Sequence, residues 1–143
     1  MSSLPTLIRL KQQQLDEKRL VVTRLETEAA SIKSLIDNLD IEVAVESEKA
    51  RANADHAYGY GTYLASARVR RAGLEGRLVQ VHEKIAAAAD EVAEAFREMK
   101  RFELAQTFAE QRAAAEANRR ERTELDDMGL EGYRRARTRG RLQ

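Results

Sequence analysis

The fold is decided by residues 4–57, which read LPTLIRLKQQQLDEKRLVVTRLETEAASIKSLIDNLDIEVAVESEKARANADHA. From Leu7 to Ala57 there is no glycine and no proline, so nothing here blocks a long helix. Two series of positions recur every seven residues. The first is Ile8, Leu15, Val22, Ala29, Ile36, Val43, Ala50 and Ala57. The second is Leu4, Lys11, Lys18, Leu25, Ile32, Leu39, Glu46 and Asn53. A mostly apolar stripe sustained over about seven heptads is typical of a coiled-coil seam.

The next stretch toward the C-terminus is Tyr58-Gly59-Tyr60-Gly61-Thr62, whose two glycines disfavour a continuous helix. The sequence therefore predicts a first helix over about residues 4–57 and a turn over 58–62. A second helix is predicted over about 63–128, with seam positions at the same spacing. They are Leu64, Ala67, Arg71, Leu74, Leu78, Val81, Ile85, Ala88, Val92, Ala95, Met99, Phe102, Gln106, Ala109 and Ala113. Gly129, Gly132 and Gly140 then predict a disordered basic tail over residues 129–143.

Two seams with one break leave two arrangements, an intramolecular antiparallel hairpin and an extended parallel dimer. If the turn is centred near Tyr60, facing residues have numbers that sum to about 120. The second stripe then stops opposite the start of the first helix, and Glu46 faces Arg71. This match favours the hairpin. We expect an all-α fold, a single coiled-coil hairpin over residues 1–143 that is a monomer when isolated.

The composition supports long helices and excludes several other classes of fold. Aromatic residues make up 5% of the chain and charged residues 34%, a balance typical of helices that bury a narrow seam. It disfavours β-sandwiches, α/β folds and any protein that needs a deep pocket. The 25 Lys and Arg nearly cancel the 24 Asp and Glu, which argues against a dedicated nucleic-acid binder. Without a long apolar run or a secretory signal, the chain is expected to be cytoplasmic.

The residues needed for catalysis or metal binding are missing. The chain has no cysteine, and its two histidines, His56 and His82, stand apart from each other. Neither histidine belongs to a Glu-x-x-His or His-Glu-x-x-His motif, so no di-iron or zinc site is predicted. We expect no enzymatic activity, no cofactor and no small-molecule substrate.

Two features point to binding partners. Leu10 and Ile41 fall outside the first helix's seam, and exposed apolar residues on a thin hairpin suggest a partner-binding surface. The tail holds five arginines between Tyr133 and Arg141 without an acidic residue. It can dock on an acidic protein surface, bind the phosphates of nucleic acid or membrane, or simply keep the chain soluble. Two general functions therefore stay open, a self-associating coiled-coil scaffold and a nucleic-acid accessory protein acting through the arginine tail.

The order of several short motifs resembles that of the FliJ family, stalk proteins of flagellar type III export. The N-terminus has Leu4-x-x-Leu7-Ile8-x-Leu10-Lys11, and Tyr63-Leu64 follows a tyrosine-containing loop. The stretch from Glu98 to Leu104 is similar to the family's Lys-x-Leu/Phe-Glu-x-Leu. Residues 110–127 are similar to its Glu-x-x-x-Leu-Asp-Glu terminus before a basic tail. Virulence-type injectisome stalks are close relatives, and the sequence separates the two systems poorly.

The resemblance implies a chaperone-like component of flagellum biogenesis and motility. Family members bind a hexameric export ATPase, the cytoplasmic domain of the export gate and export chaperones. They are peripheral at the inner membrane through the export apparatus. The residues implied in ATPase binding are Leu4, Leu7, Ile8, Leu10, Lys11, Arg112, Arg119, Arg120, Arg122 and Leu125. Those implied in binding the export gate are Leu35, Asn38, Tyr60, Leu64 and Ala67. The family often has aromatic residues where this chain has Asn38 and Glu42.

Overall fold

The computed structural model describes residues 3–141, which form two α-helices. Helix α1 spans Ser3–Ala52 and helix α2 spans Ala54–Arg141, with lengths of 50 and 88 residues. No strand occurs within residues 3–141, and the two helices pack against each other. The predicted all-α hairpin is confirmed.

The break between the helices is the single residue Asn53. Its backbone N–H donates to the Lys49 carbonyl at 3.1 Å and closes α1. Its side-chain Oδ1 accepts the N–H of Asp55 at 2.9 Å, and its own carbonyl accepts the N–H of Ala57. Asparagine is among the best residues at this N-cap position, because its side chain satisfies a backbone donor that the first helical turn leaves unpaired. Asn53 therefore ends one helix and starts the next.

The predicted turn over residues 58–62 is wrong, since all five residues lie inside α2. No glycine within residues 3–141 has a positive φ, so Gly59 and Gly61 do not use the conformations that usually mark a turn. The predicted disorder of the tail is also wrong as far as Arg141, the last helical residue. Residues 142 and 143 of that tail lie outside the described residues. An ion pair of Arg135 with Glu131 at 3.5 Å supports the last helical turns.

The fold divides into two compact units, and each helix contributes to both. One unit, called here the 10–98 unit, runs from Leu10 to Glu98. The other, called the terminal unit, joins the start of α1 up to Arg9 with α2 from Met99 onward. Whether the chain behaves as the predicted single domain stays a prediction.

Within the 10–98 unit the helices are antiparallel, and three ion pairs between them report the register. Lys11 pairs with Glu98 at 2.8 Å, Lys18 with Glu91 at 3.5 Å, and Asp40 with Arg71 at 2.8 Å. These residue numbers sum to 109, 109 and 111, so the register sum is about 110 rather than 120. The shift follows from the earlier turn, and it replaces the expected pair of Glu46 and Arg71. Glu46 pairs instead with Lys49 on its own helix, at 3.6 Å.

The seam lies at the predicted heptad positions. Its buried members in the 10–98 unit are Leu15, Ala29, Ile32, Ile36, Leu39, Ala67, Val81, Ala88 and Ala95. Ala29, Ile32, Ile36 and Val81 form one cluster. By the register, the small Ala95 stands opposite the large Leu15, and Ala29 stands opposite Val81. Such alternation of large and small residues lets two helices pack closely without bulky side chains on both.

The register is testable by cross-linking, because the natural chain has no cysteine. A variant with Ala29→Cys and Val81→Cys should form an intramolecular disulfide, since both residues belong to one buried cluster. The matched control, Ala29→Cys with Val92→Cys, should not, because position 92 lies about 16 Å further along α2 at about 1.5 Å per residue. Non-reducing electrophoresis and mass spectrometry read out the products. A disulfide in the control alone, or only cross-linked dimers, would contradict the register.

Candidate functional site

An open groove lies between the two helices in the 10–98 unit. Its walls come from four residues of each helix. They are Leu35, Asn38, Leu39 and Glu42 of α1 with Arg70, Gly73, Leu74 and Arg77 of α2. Leu35 is a prominent apolar member, because 47% of it is exposed although it lies four residues from the buried Leu39. The groove thus combines an accessible apolar wall with two arginines.

The groove has a gap where Gly73 stands. A Cβ built on Gly73 would meet no atom within 4 Å, so packing inside the protein does not require glycine there. Glycine in a helix interior costs about 1 kcal/mol relative to alanine. Its absence of a side chain leaves open space beside Leu74, where another chain can approach the backbone of α2.

The positive charges of the groove are not neutralised by neighbours. Within residues 3–141, neither Arg70 nor Arg77 takes part in an ion pair. Glu42 lies on the opposite wall, so the groove carries two arginines against one carboxylate. This balance favours an acidic ligand with an apolar residue for Leu35.

A bidentate ion pair ties the helices together next to the groove. Nε of Arg71 donates to Oδ1 of Asp40 at 2.8 Å, and Nη2 donates to Oδ2 at 3.1 Å. Arg71 also contacts Glu75 one turn along α2. Hydrogen bonding and charge from Arg71 lower the pKa of the Asp40 carboxyl below its ordinary value. Such forked pairs fix geometry more than they add stability when they are exposed.

The structure separates the predicted gate-binding residues. Leu35 and Asn38 line the groove together, but Tyr60, Leu64 and Ala67 do not. Ala67 is only 3% exposed and belongs to the seam, so it offers almost no surface. Tyr60 and Leu64 are half-buried, and the Tyr60 ring lies 6.4 Å from the ring of Tyr63, centroid to centroid. Burial raises the pKa of the Tyr63 hydroxyl, and the carboxylates of Glu42 and Glu46 raise it further.

Arg70, Gly73 and Arg77 were not predicted as members of this groove. Gly73 was the available signal, because glycine at a helix interior without a turn needs a reason outside the helix itself. The two arginines are seven residues apart, which places them two turns apart on one face of α2. Only the correct register brings that face beside Leu35.

The terminal unit carries most of the residues implied in ATPase binding. Leu4, Leu7 and Ile8 are half-buried at the start of α1. The remaining members in this unit lie along α2, and all are exposed. They are Arg112, Arg119, Arg120, Arg122 and Leu125. Leu10 and Lys11 belong to the 10–98 unit, where Leu10 is exposed and Lys11 pairs with Glu98.

Within the described residues, helix α2 is almost entirely exposed after Gln106. Over residues 107–141 every residue is exposed except Glu116, which is half-buried. Arg119 and Arg120 both pair with Glu116, at 2.8 and 3.6 Å. Exposed apolar side chains are nevertheless frequent on this segment and just before it. They are Leu104, Phe108, Leu125, Met128, Leu130 and Tyr133. Phe108, which was not among the predicted site residues, shares a shallow depression with the predicted Arg112.

Neither a metal site nor a membrane span is found in the part of the chain that the structure describes. Residues 3–141 contain no group of three or more His, Asp or Glu side chains placed to hold an ion. His56 and His82 are both exposed. Neither described helix has a stretch long and apolar enough to cross a lipid bilayer.

Comparison with protein families gives one match that covers nearly the whole chain. The family described as "Flagellar FliJ protein" matches residues 1–138. The comparison with curated proteins gave no match, and neither did the comparison with solved structures.

The Asp40–Arg71 pair beside the groove gives a prediction about pH. Carboxyl-detected NMR titration should place the pKa of Asp40 below the ordinary value of about 3.9, and Arg71→Gln should return it toward that value. Because the folded-state pKa is lowered, the pair stabilises the fold above the ordinary pKa. That stabilisation is lost as the pH falls through the lowered value. The control Glu75→Gln should leave the Asp40 titration nearly unchanged. An Asp40 titration that is the same in wild type and Arg71→Gln would refute the pair.

Proposed function

We propose that this chain, which belongs to the flagellar FliJ protein family and is thereby a component of the flagellar export apparatus, acts there as a non-enzymatic stalk. In this proposal it binds the hexameric export ATPase through its terminal unit and the adjoining Leu10 and Lys11 of α1. It binds the cytoplasmic domain of the export gate through the groove of its 10–98 unit. It also binds export chaperones. It is cytoplasmic, peripheral at the inner membrane through these partners, and a monomer when isolated.

The observation that carries the proposal is the presence of two separate partner-type surfaces on one helical hairpin. One is the groove with Leu35, Arg70 and Arg77. The other is the exposed segment of α2 after Gln106, with arginines and isolated large apolar residues. A protein that couples two partners needs two such surfaces, whereas a self-associating scaffold needs one long continuous seam. Here the seam is already occupied by the chain's own second helix.

The charged faces of the helices suit a stalk that moves within a ring. Most side chains outside the seam are polar or charged, and many pair with neighbours on their own helix. Pairs such as Arg97 with Glu94 leave little unbalanced charge along the shaft. A surface of this kind adheres weakly to a surrounding protein, which allows sliding or rotation.

ATPase binding is tested by titrating the chain into the purified flagellar export ATPase of the same organism and following ATP hydrolysis. We expect stimulation. Leu10→Ser with Leu125→Ser should raise the concentration for half-maximal stimulation by roughly tenfold or more, since buried apolar contacts at an interface each contribute on the order of 1 kcal/mol.

The matched control is Leu20→Ser with Val79→Ser, both outside the terminal unit. The test leucines are 45% and 60% exposed and the control residues 49% and 56%, so neither pair should unfold the chain. Stimulation by the control should equal that of wild type. If the wild-type chain neither binds nor stimulates the ATPase, the ATPase is not a partner of this chain. The self-associating scaffold then becomes the better explanation.

Gate binding is tested by calorimetry with the isolated cytoplasmic domain of the export gate. Leu35→Ser should weaken binding about tenfold, and Arg70→Gln with Arg77→Gln should also remove most of its salt dependence. Leu20→Ser is the matched control, because Leu20 is 49% exposed and Leu35 47%. If wild type, Leu35→Ser and the arginine variant bind the gate domain equally, the groove is not the gate-binding surface.

A further inference from the structure

The last segment of α2, from Leu125 to Arg141, has two different faces. At about 100° per residue, one face of about 140° collects the apolar and small side chains except Leu130, which lies outside it. These are Leu125, Met128, Gly129, Gly132, Tyr133, Ala136 and Gly140. Leu125, Met128 and Tyr133 are 60%, 70% and 66% exposed, so nothing in the described chain covers this face. The segment is therefore an unpartnered amphipathic helix.

The charge of the segment is strongly one-sided along its length. Asp126, Asp127 and Glu131 occur in its first turns, but residues 132–141 hold five arginines and no acidic residue. This excess belongs to a chain whose net charge is only +1. Within residues 3–141, only Arg135 among the five pairs with an acid, Glu131. The remaining four are available to anionic groups.

The arginines border the apolar face on both sides. Arg135 follows one edge, and Asp126 and then Arg137 follow the other, while Arg134 and Arg141 lie opposite the face. Arg139 lies just inside one edge. Long basic side chains at the borders of an apolar face extend their stems along apolar surface and place their charges at the level of phosphate groups. Glycines at 129, 132 and 140 leave open space, so the helix backbone can approach a flat surface closely.

We propose that residues 125–141 form an interfacial helix that binds directly to the anionic phospholipid surface of a membrane. The apolar face enters the boundary between headgroups and acyl chains, and the arginines bind lipid phosphates. Nucleic acid has phosphates but no use for the apolar face that the arginines border. The borders of arginine on both sides match a planar surface better than a narrow protein groove. The inference goes beyond the proposed function, because it needs neither the ATPase nor the gate.

The chain has no tryptophan, so Tyr133→Trp in the full-length protein gives a single fluorescent reporter on the apolar face. The probe is a vesicle made of equal parts phosphatidylglycerol and phosphatidylcholine, at about 0.15 M salt. Emission should shift to the blue with these vesicles and not with pure phosphatidylcholine. Brominated acyl chains should quench it. Failure of either result would overturn the proposal, whatever the outcome with the ATPase.

Two further variants separate charge from apolar insertion in a vesicle sedimentation assay. Arg135→Gln, Arg137→Gln and Arg139→Gln, which remove the three arginines at the borders of the apolar face, should together lower the partition coefficient roughly a hundredfold, at about fivefold per arginine. The matched control removes the same charge elsewhere, with Arg24→Gln, Lys33→Gln and Lys84→Gln, and should bind like wild type. Met128→Gln should also weaken binding, because it places a polar group on the inserted face.

The alternative ligands give different results in the same assay. If a short duplex DNA or RNA competes fully with vesicles and Met128→Gln has no effect, the arginines act by charge alone and the interfacial helix is refuted. If the matched control loses binding as much as the arginine variant, the effect is one of total charge and the proposal also fails.

Discussion

The register of α1 against α2 is the constraint on which the rest of the structure depends. Three charged residues, Lys11, Lys18 and Arg71, occupy seam positions where an apolar residue is expected, and each pairs with an acid on the other helix. Exposed ion pairs add little to the free energy of unfolding, but a charge at a seam position is costly in any register that leaves it unpaired. The apolar seam supplies stability, and the charges select one alignment. That alignment brings Leu35 of α1 beside Gly73 of α2.

The helical seams could be predicted from the sequence because heptad spacing is a direct consequence of helix geometry. The turn could not, because two kinds of signal competed within a few residues. Gly59 and Gly61 break helices on average, yet they stay helical here. Asn53 ends α1 because its side chain caps the next helix. The distinction depends on one side-chain hydrogen bond, which residue spacing alone does not reveal. In an antiparallel hairpin the numbers of facing residues sum to twice the number at the centre of the turn. A turn predicted about five residues too late therefore gave a register sum about ten too large.

The candidate site shows the same dependence on register. Leu35 and Asn38 could be chosen by their resemblance to family positions, and both line the groove. Ala67 was chosen in the same way but is buried, although its heptad position already placed it in the seam. Arg70 and Arg77 could not be found without the register, because nothing near them in the sequence marks them as neighbours of α1. Local spacing therefore identifies which side chains leave the seam, and only the pairing of the helices shows which of them meet.

The alternation of large and small residues across the seam has a consequence for how such chains diverge. At each level of the seam, close packing requires a certain combined side-chain volume from the two facing residues, not a particular residue on either helix. Ala95 faces Leu15 in this way, and Ala29 faces Val81. Substitutions that conserve volume and apolar character are tolerated in packed interiors, and exchanges between the two sides preserve the fit. Outside the seam almost any helix-forming residue serves. Two lineages with the same hairpin can therefore diverge until few aligned residues are identical, while the heptad spacing persists. Their common descent is then detectable from the spacing of apolar positions rather than from residue identity.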